Sequence, residues 1–320
     1  MITRRKSIAA LVISLAGPLS VLARPEAVPR IGVLVTVDLE RTRTRLLTEL
    51  RGLGYVDGLN VFVEFRLVKP ERADQLPELA AELVQLPVDV IIAQFTTGAT
   101  AAKRATTEIP IVMYAVGNPV ETGLITSLAR PGGNVTGVAA LASESAAKAL
   151  ELLHELIPSV RRVAVLLNSK VNLAGPLLEQ IRLAASADSF DIQPVQIGSI
   201  EELEAVFLQL SFDHVDALFI QPSLPTRRAA ELALQYRLPA VSIPRWFAED
   251  GGLMAYGWDT AGVARQVVAY VDKILKGAKP ADLPVEQPTD FKLIINRNTA
   301  RTLGLTIPPS LLIRVDEIIE

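Results

Sequence analysis

The chain reads as an α/β protein made of two doubly wound parallel-sheet lobes joined by three hinge crossings. Three observations predict this. From residue 30 onward, short apolar runs alternate with segments of helical period, the rhythm of parallel strands connected by helices. The rhythm restarts near residue 160, so the 320 residues hold two such units. Beyond residue 251 come a strand, a long amphipathic helix, a Pro-rich linker and another strand, which fit neither unit as a simple appendix and read as pieces returned to each in turn.

In the first unit, residues 31–37 form an apolar strand and 39–53 a helix with Leu39, Leu46, Leu47 and Leu50 on one face. Strand 61–68 and helix 73–86 follow. The organising stretch is 89–140: a buried strand at 89–95, a turn at Thr96-Thr97-Gly98 opening a helix, a strand at 109–116 closed by Gly117-Asn118-Pro119, a helix over 120–129, and a Gly-rich reversal into strand 135–141. The second unit has strands at 162–167, 192–197, 217–221 and 240–244, with helices at 146–157, 173–187, 200–210 and 226–236. The tail adds strand 253–258, helix 259–275 ending at Lys276-Gly277, strand 291–295 and a small helix from Asn298. Residues 30–143 plus 252–284 are expected in lobe 1, and 144–251 plus 285–320 in lobe 2.

Composition narrows the chemistry. Net charge is −3, which supplies no basic field for a nucleic-acid partner. There is no Cys and only His154 and His214, so disulfides, thiol nucleophiles and Cys/His metal sites lack their parts, and no cofactor is expected. Gly52, Gly54 and Gly58 follow a helix instead of a strand, so they read as turn residues and not as a dinucleotide loop. At the N-terminus, Arg4-Arg5-Lys6 precedes an apolar run over 8–22 that Gly17-Pro18 interrupts, and Ala23 ends a small-residue cleavage pattern. Residues 1–23 therefore read as a signal peptide. The competing reading, a membrane anchor, needs ~20 uninterrupted apolar residues.

Several longer segments carry a resemblance. They are Ile109-Pro110-Ile111-Val112, Val116-Gly117-Asn118-Pro119-Val120, the run 127–137 around Arg130-Pro131-Gly132-Gly133-Asn134, and Arg227-Arg228-Ala229-Ala230-Glu231. Gly251-Gly252-Leu253-Met254-Ala255-Tyr256-Gly257, the run 274–288 around Lys276-Gly277-Ala278-Lys279-Pro280, and Leu303-Gly304-Leu305-Thr306-Ile307-Pro308-Pro309 complete the set. In these the chain resembles ABC-transporter substrate-binding proteins related to those that bind tryptophan and other aromatic amino acids, with the type I periplasmic-binding fold. The resemblance implies capture of a small-molecule solute in the periplasm by hinge closure, and delivery to an ABC permease in the cytoplasmic membrane. Relatives carry an acidic residue where this chain has Asn118, a difference that points away from an ammonium-bearing ligand.

The ligand would lie between the lobes, at the carboxyl edges of the strands. The first wall is expected from Thr36, Asp38, Phe95, Thr96, Thr97, Gly98 and Asn118, with the N–H groups of a helix beginning near Gly98 aimed at a carboxylate. The second is expected from Asn168, Ser169, Gln221 and Ser223, with Trp246 nearby and Tyr256 and Trp258 on a strand returning to lobe 1. Thr96 and Thr97 serve equally as helix caps, Asp38 and Asp259 as N-caps, and the aromatic residues as packing. An exported α/β enzyme or a sensory domain would use the same cleft, although no Gly-x-Ser-x-Gly elbow is present.

Overall fold

The inner strands of the first sheet are apolar on both faces, so they need helices on both sides. In the computed structural model, which describes residues 28–36, 38–68, 74–140, 142–169, 177–179, 181–183 and 190–320, they have them. Strands β1 (Arg30–Val35), β2 (Phe62–Leu67), β3 (Val90–Gln94), β4 (Ile111–Gly117) and β5 (Val135–Ala140) lie in the order β2-β1-β3-β4-β5, all parallel. Ile31, Val33 and Val35 pack toward Leu46 and Leu50 of α1 (Leu39–Gly52). On the opposite face Leu34, Ile91 and Ala93 meet Ala80 and Leu83 of α2 (Leu76–Gln85) and Ala99 and Ala102 of α3 (Phe95–Ala105). The expected signal peptide, Val37, and most of the helix expected over 173–187 lie outside the described residues.

One expected helix is absent. Residues 119–124 form overlapping turns, Gly123 N–H to Val120 O and Leu124 N–H to Pro119 O, and the chain then runs to Pro131 without helix. Gly123 is left-handed at φ 70°, which ends the helical winding after a single turn, and Lys103 holds the turn by donating to the carbonyls of Gly123 and Leu124.

The second sheet repeats the first. Strands β6 (Arg162–Asn168), β7 (Asp191–Ile197), β8 (Ala217–Ile220), β9 (Ala240–Ser242) and β10 (Met254–Trp258) take the order β7-β6-β8-β9-β10, the same winding as β2-β1-β3-β4-β5. Strands β11 (Phe291–Asn296), antiparallel to β10, and β12 (Glu317–Ile319) extend it. Helices α4 (Ala142–Leu156), α5 (Ile200–Phe212) and α6 (Thr226–Gln235) flank this sheet, with the short α7 (Arg245–Glu249) after β9.

The strand expected to return to lobe 1 does not. β10 pairs with β9 and β11, so residues 252–258 belong to the second sheet. The return begins instead with α8 (Thr260–Leu275), whose Val263, Val267, Val268 and Val271 are buried and which packs on β3, β4, β5 and α1. It continues through Val285 and Glu286, which hydrogen-bond to Leu128, Gly137 and Ala139 of lobe 1. The chain thus passes between the lobes three times, between Ala140 and Ala142, at Asp259 and between 287 and 290, and the last two crossings are joined by Asp259 N–H to Asp290 O at 2.9 Å.

Each lobe closes its topological switch point in the same way. Leu34 pairs with Ala93 across β1 and β3, and Leu166 with Ile220 across β6 and β8. One residue beyond each second partner stands a buried glutamine, Gln94 or Gln221. Its Oε1 accepts the backbone N–H two residues beyond the first partner: Thr36 at 2.9 Å and Asn168 at 2.7 Å. Gln94 also donates Nε2 to Thr42 of α1 at 3.2 Å. These N–H groups have run past their ladder partners, and a buried donor left unpaired is costly. Replacing Gln94 or Gln221 by Leu is expected to lower unfolding free energy by about 1–3 kcal/mol in urea titration. A change below about 0.3 kcal/mol would show that the amide is dispensable to the strand ends.

Candidate functional site

A cavity of about 70 Å³ lies between the lobes at the carboxyl edges of the two sheets, large enough for on the order of five waters. β3 passes into α3 without a loop: Gln94 is extended and Phe95, the first helical residue, is left-handed at φ 55°. Among the described residues no side chain caps this eleven-residue helix, whose first turn borders the cavity through Phe95, Thr96 and Thr97. Thr96 and Thr97 therefore sit inside the first turn and do not cap it. Thr96 Oγ1 donates to Gly117 O at 3.2 Å, and Thr97 lines the cavity.

β4 supplies the next part of the wall. Its pairing with β5 slips between Tyr114 and Val116, with Ala115 left-handed at φ 56°, and Asn118 is left-handed at φ 46° just past the strand end. Asn118 lines the cavity and donates Nδ2 to Glu121 at 2.9 Å. With Asp38 at φ 38°, four non-glycine residues near the cleft hold this uncommon conformation. The two others among the described residues, His214 and Arg237, follow helix ends, where a left-handed residue is ordinary. Concentrated backbone strain of this kind is typical of binding sites.

In the second lobe, Asn168 Nδ2 donates to Ser223 O at 3.1 Å while its backbone N–H is held by Gln221. The 221–223 turn is thereby fixed against the cavity. Ser223 lines it, and its Oγ is buried without a hydrogen-bond partner among the described residues, a group able both to donate and to accept. Ala142 and Ser143, in the first turn of α4, add a second helix start. The same lining includes Phe95, Leu177, Ile243 and Trp258. The cavity thus offers hydroxyls, amides and backbone N–H groups together with apolar and aromatic side chains.

Of the residues expected from sequence, the cavity brings together Phe95, Thr96, Thr97, Asn118, Gln221, Ser223 and Trp258. The others are placed elsewhere. Thr36 is bound to Gln94, and Gly98 is buried in α3 where an added Cβ would lie 3.3 Å from Thr36 Cγ2. Asn168 holds the Ser223 turn, and Ser169 donates its backbone N–H to Ile197 O. Tyr256 stacks on Phe291 at 6.0 Å between centroids, as a packing residue within the second sheet. Asp259 caps α8 through Ala261 and Gly262.

Asp38 and Trp246 line a separate chamber of about 20 Å³ that shares Phe95, Ala115 and Trp258 with the main cavity. Asp38 caps α1, accepting from Arg41 N–H at 3.0 Å. Sequence reasoning missed Arg41. Its guanidinium reaches from lobe 1 to Asp250 of lobe 2 at 3.0 Å, with Asp38 at 3.2 Å and Glu249 at 3.8 Å. Asp250, its side chain only 6 % exposed, is also held by Arg227 at 3.1 Å. Among the described residues, Arg41–Asp250 and Arg41–Glu249 are the ion pairs that span the lobes. Burial disfavours the Arg41 charge, but the hydrogen bond and charge of Asp250, helped by Asp38 and Glu249, outweigh it and raise its pKa. Burial, which works against the Arg41 charge, disfavours the Tyr114 phenolate too and so raises the Tyr114 pKa, against an opposing effect of Arg45. Arg41→Ala is expected to loosen the closed arrangement by about 1 kcal/mol, the scale of a partly exposed pair. Scattering from the unliganded variant should give a larger radius of gyration than wild type, and high salt should enlarge the wild type similarly. Identical radii at low salt would rule out the latch.

The family of ABC transporter substrate binding proteins matches residues 30–319. A tyrosine-binding protein of Clostridioides difficile is 26% identical over 273 residues, covering 83% of this chain and 77% of that protein. Among solved structures, a Streptococcus pneumonia ABC domain in complex with L-Trp is similar with a TM-score of 0.83 and 25% identity, covering 92% of this chain and 100% of that one. A ligand-free, open substrate binding protein of Clostridium difficile with adhesive properties is also 25% identical, covering 91% of this chain and 99% of that one, but its TM-score is 0.64. A two-lobed fold wound twice in the same order, a cavity at the facing strand edges and a match along nearly the whole chain agree: this protein belongs to the ABC transporter substrate binding proteins.

Proposed function

We propose that the cleft captures a small solute bearing a carboxylate and an aromatic or apolar body, and that lobe closure presents it to an ABC permease outside the cytoplasmic membrane. The observation that carries this is the mixed lining, in which the uncapped start of α3, Thr97, Ser143 and Ser223 share one cavity with Phe95, Leu177, Ile243 and Trp258. A carboxylate suits unpaired helix N–H groups, and a flat apolar body suits the aromatic wall. The relatives' aromatic amino-acid ligands support the same class. Hydroxyls, amides and backbone donors hold a ligand without reacting with it, which favours binding and release over catalysis.

The arrangement of the lobes supports closure as the working motion. At equal identity the chain superposes better on the L-Trp complex than on the ligand-free open protein, and Arg41 already spans the lobes. Among the described residues no helix is long and apolar enough to cross a membrane, so the permease would be a separate partner.

In a thermal-shift screen of amino acids, aryl-alkyl carboxylates and sugars, one narrow aromatic carboxylate class should raise the melting temperature by several degrees, since ligand at a hundredfold its Kd adds about 2.7 kcal/mol. A shift with sugars alone would overturn the proposed class. Thr97→Val should weaken that ligand roughly fivefold, through loss of a hydrogen bond worth about 1 kcal/mol. Titration calorimetry would read this directly, and an unchanged Kd would move the carboxylate away from α3.

A further inference from the structure

The main cavity is lined, among the described residues, by uncharged groups only, whereas the chamber beside it is not. Arg41 and Arg45, one turn apart on α1, line that chamber together with Asp38. Asp38 is engaged, since its carboxylate accepts the Arg41 backbone N–H and lies 3.2 Å from Arg41 Nε. Arg41 in turn is compensated by Asp38, Glu249 and Asp250, although its Nη1 is buried without a hydrogen-bond partner among the described residues. Arg45 is different. Among the described residues it forms no ion pair, and Glu49, one turn further along α1, is paired with Arg265 at 3.6 Å.

The group that meets Arg45 is the hydroxyl of buried Tyr114, on which the guanidinium acts by charge and by hydrogen bond. A guanidinium only donates, so the hydroxyl accepts from it and keeps its own proton for a further acceptor. The indole N–H groups of Trp246 and Trp258, which also line the chamber, are donors only. The chamber is therefore rich in donors and holds one positive charge that no carboxylate among the described residues answers. Arg45 is half-buried, so water serves it while the site is empty. A carboxylate replaces that water best, because two oxygens match the planar fork of a guanidinium.

The position of the chamber sets what can bring the carboxylate there. It shares Phe95, Ala115 and Trp258 with the main cavity, so a flat body lying along Phe95 and Trp258 reaches from one space to the other. About 20 Å³ admits one or two heavy atoms, the oxygens of a carboxylate and not a second ring. Both lobes build the chamber, Arg45 and Tyr114 from the first and Trp246 and Trp258 from the second.

We infer that the side chamber is a second anion subsite, where Arg45 binds a carboxylate at the far end of the solute, so that the ligand is a dianion with an aromatic body between two carboxylates. This rests on the reading of the main cavity as a site for an aromatic or apolar carboxylate.

The test is calorimetric titration with three compounds that differ only at the far end of the ring: 3-(4-carboxyphenyl)propionate, its neutral carboxamide 3-(4-carbamoylphenyl)propionate, and 3-phenylpropionate. Wild type should bind the dianion about tenfold more tightly than either of the others, the gain expected of a charge-assisted hydrogen bond. Arg45→Gln should weaken the dianion alone by the same factor, and Arg45→Lys, which keeps the charge, should retain part of the preference. Unaltered melting temperatures of the free variants would show that the fold is intact, and the wild-type series decides the question by itself if Arg45→Gln does not fold. Equal wild-type affinity for all three compounds, or a preference for 3-phenylpropionate, would overturn the second subsite while leaving the main cavity a carboxylate site. Equal weakening of all three by Arg45→Gln would do the same. Failure of wild type to bind any of the three would overturn the aromatic carboxylate reading together with this inference.

Discussion

The rest of the site hangs on one buried amide in each lobe. A doubly wound sheet splits at its switch point, where neighbouring strands send their connections to opposite faces and backbone N–H groups outrun their ladder partners. Gln94 and Gln221 fill that gap at the same offset in both sheets, each accepting the stranded N–H of the adjacent strand end. An apolar side chain would pack there but leave the N–H unpaired. A charged one would have to be buried alone. The neutral amide satisfies the edge, and so Thr96, Asn118 and Ser223 stand on a fixed floor.

Charge is kept out of the ligand space and placed beside it. Arg41, Arg45, Asp38 and Asp250 gather in or beside the neighbouring chamber, and Glu121 lies behind Asn118, while the polar part of the main lining is made of uncharged dipoles. Shutting a cleft over unpaired ionised side chains would carry a large desolvation cost in every empty cycle, whereas helix N–H groups and amides are already oriented and lose less when water leaves. Left-handed Phe95, Ala115 and Asn118 are part of that arrangement, because they turn the chain so that donors and acceptors point inward.

The alternation of elements was legible because buried parallel strands are nearly continuous apolar runs, and the polar turns after them pointed to Phe95 to Thr97, Asn118, Gln221 and Ser223, which line the cavity. What escaped depended on distance or direction. An apolar strand does not say which sheet it joins, so β10 was assigned to the wrong lobe. The helical spacing over 120–129 was offset by one left-handed glycine, Gly123. Arg41 and Asp250 meet across a separation of 209 residues, with no pattern linking them. Tyr256 and Trp246 had the right chemistry, but strand direction turned the first toward Phe291 and the course of α7 took the second to the side chamber.

Because β10 stays in the second sheet and α8 returns to the first, neither lobe is a continuous stretch of chain. Lobe 1 combines residues 28–140 with 260–286, and lobe 2 combines 142–258 with 291–320. The first lobe therefore has one face of its core only partly covered, by α1, until α8 has been made, although its last strand ends at residue 140. The same interleaving means that a single protease cut at any crossing leaves both lobes still tied together by the other two.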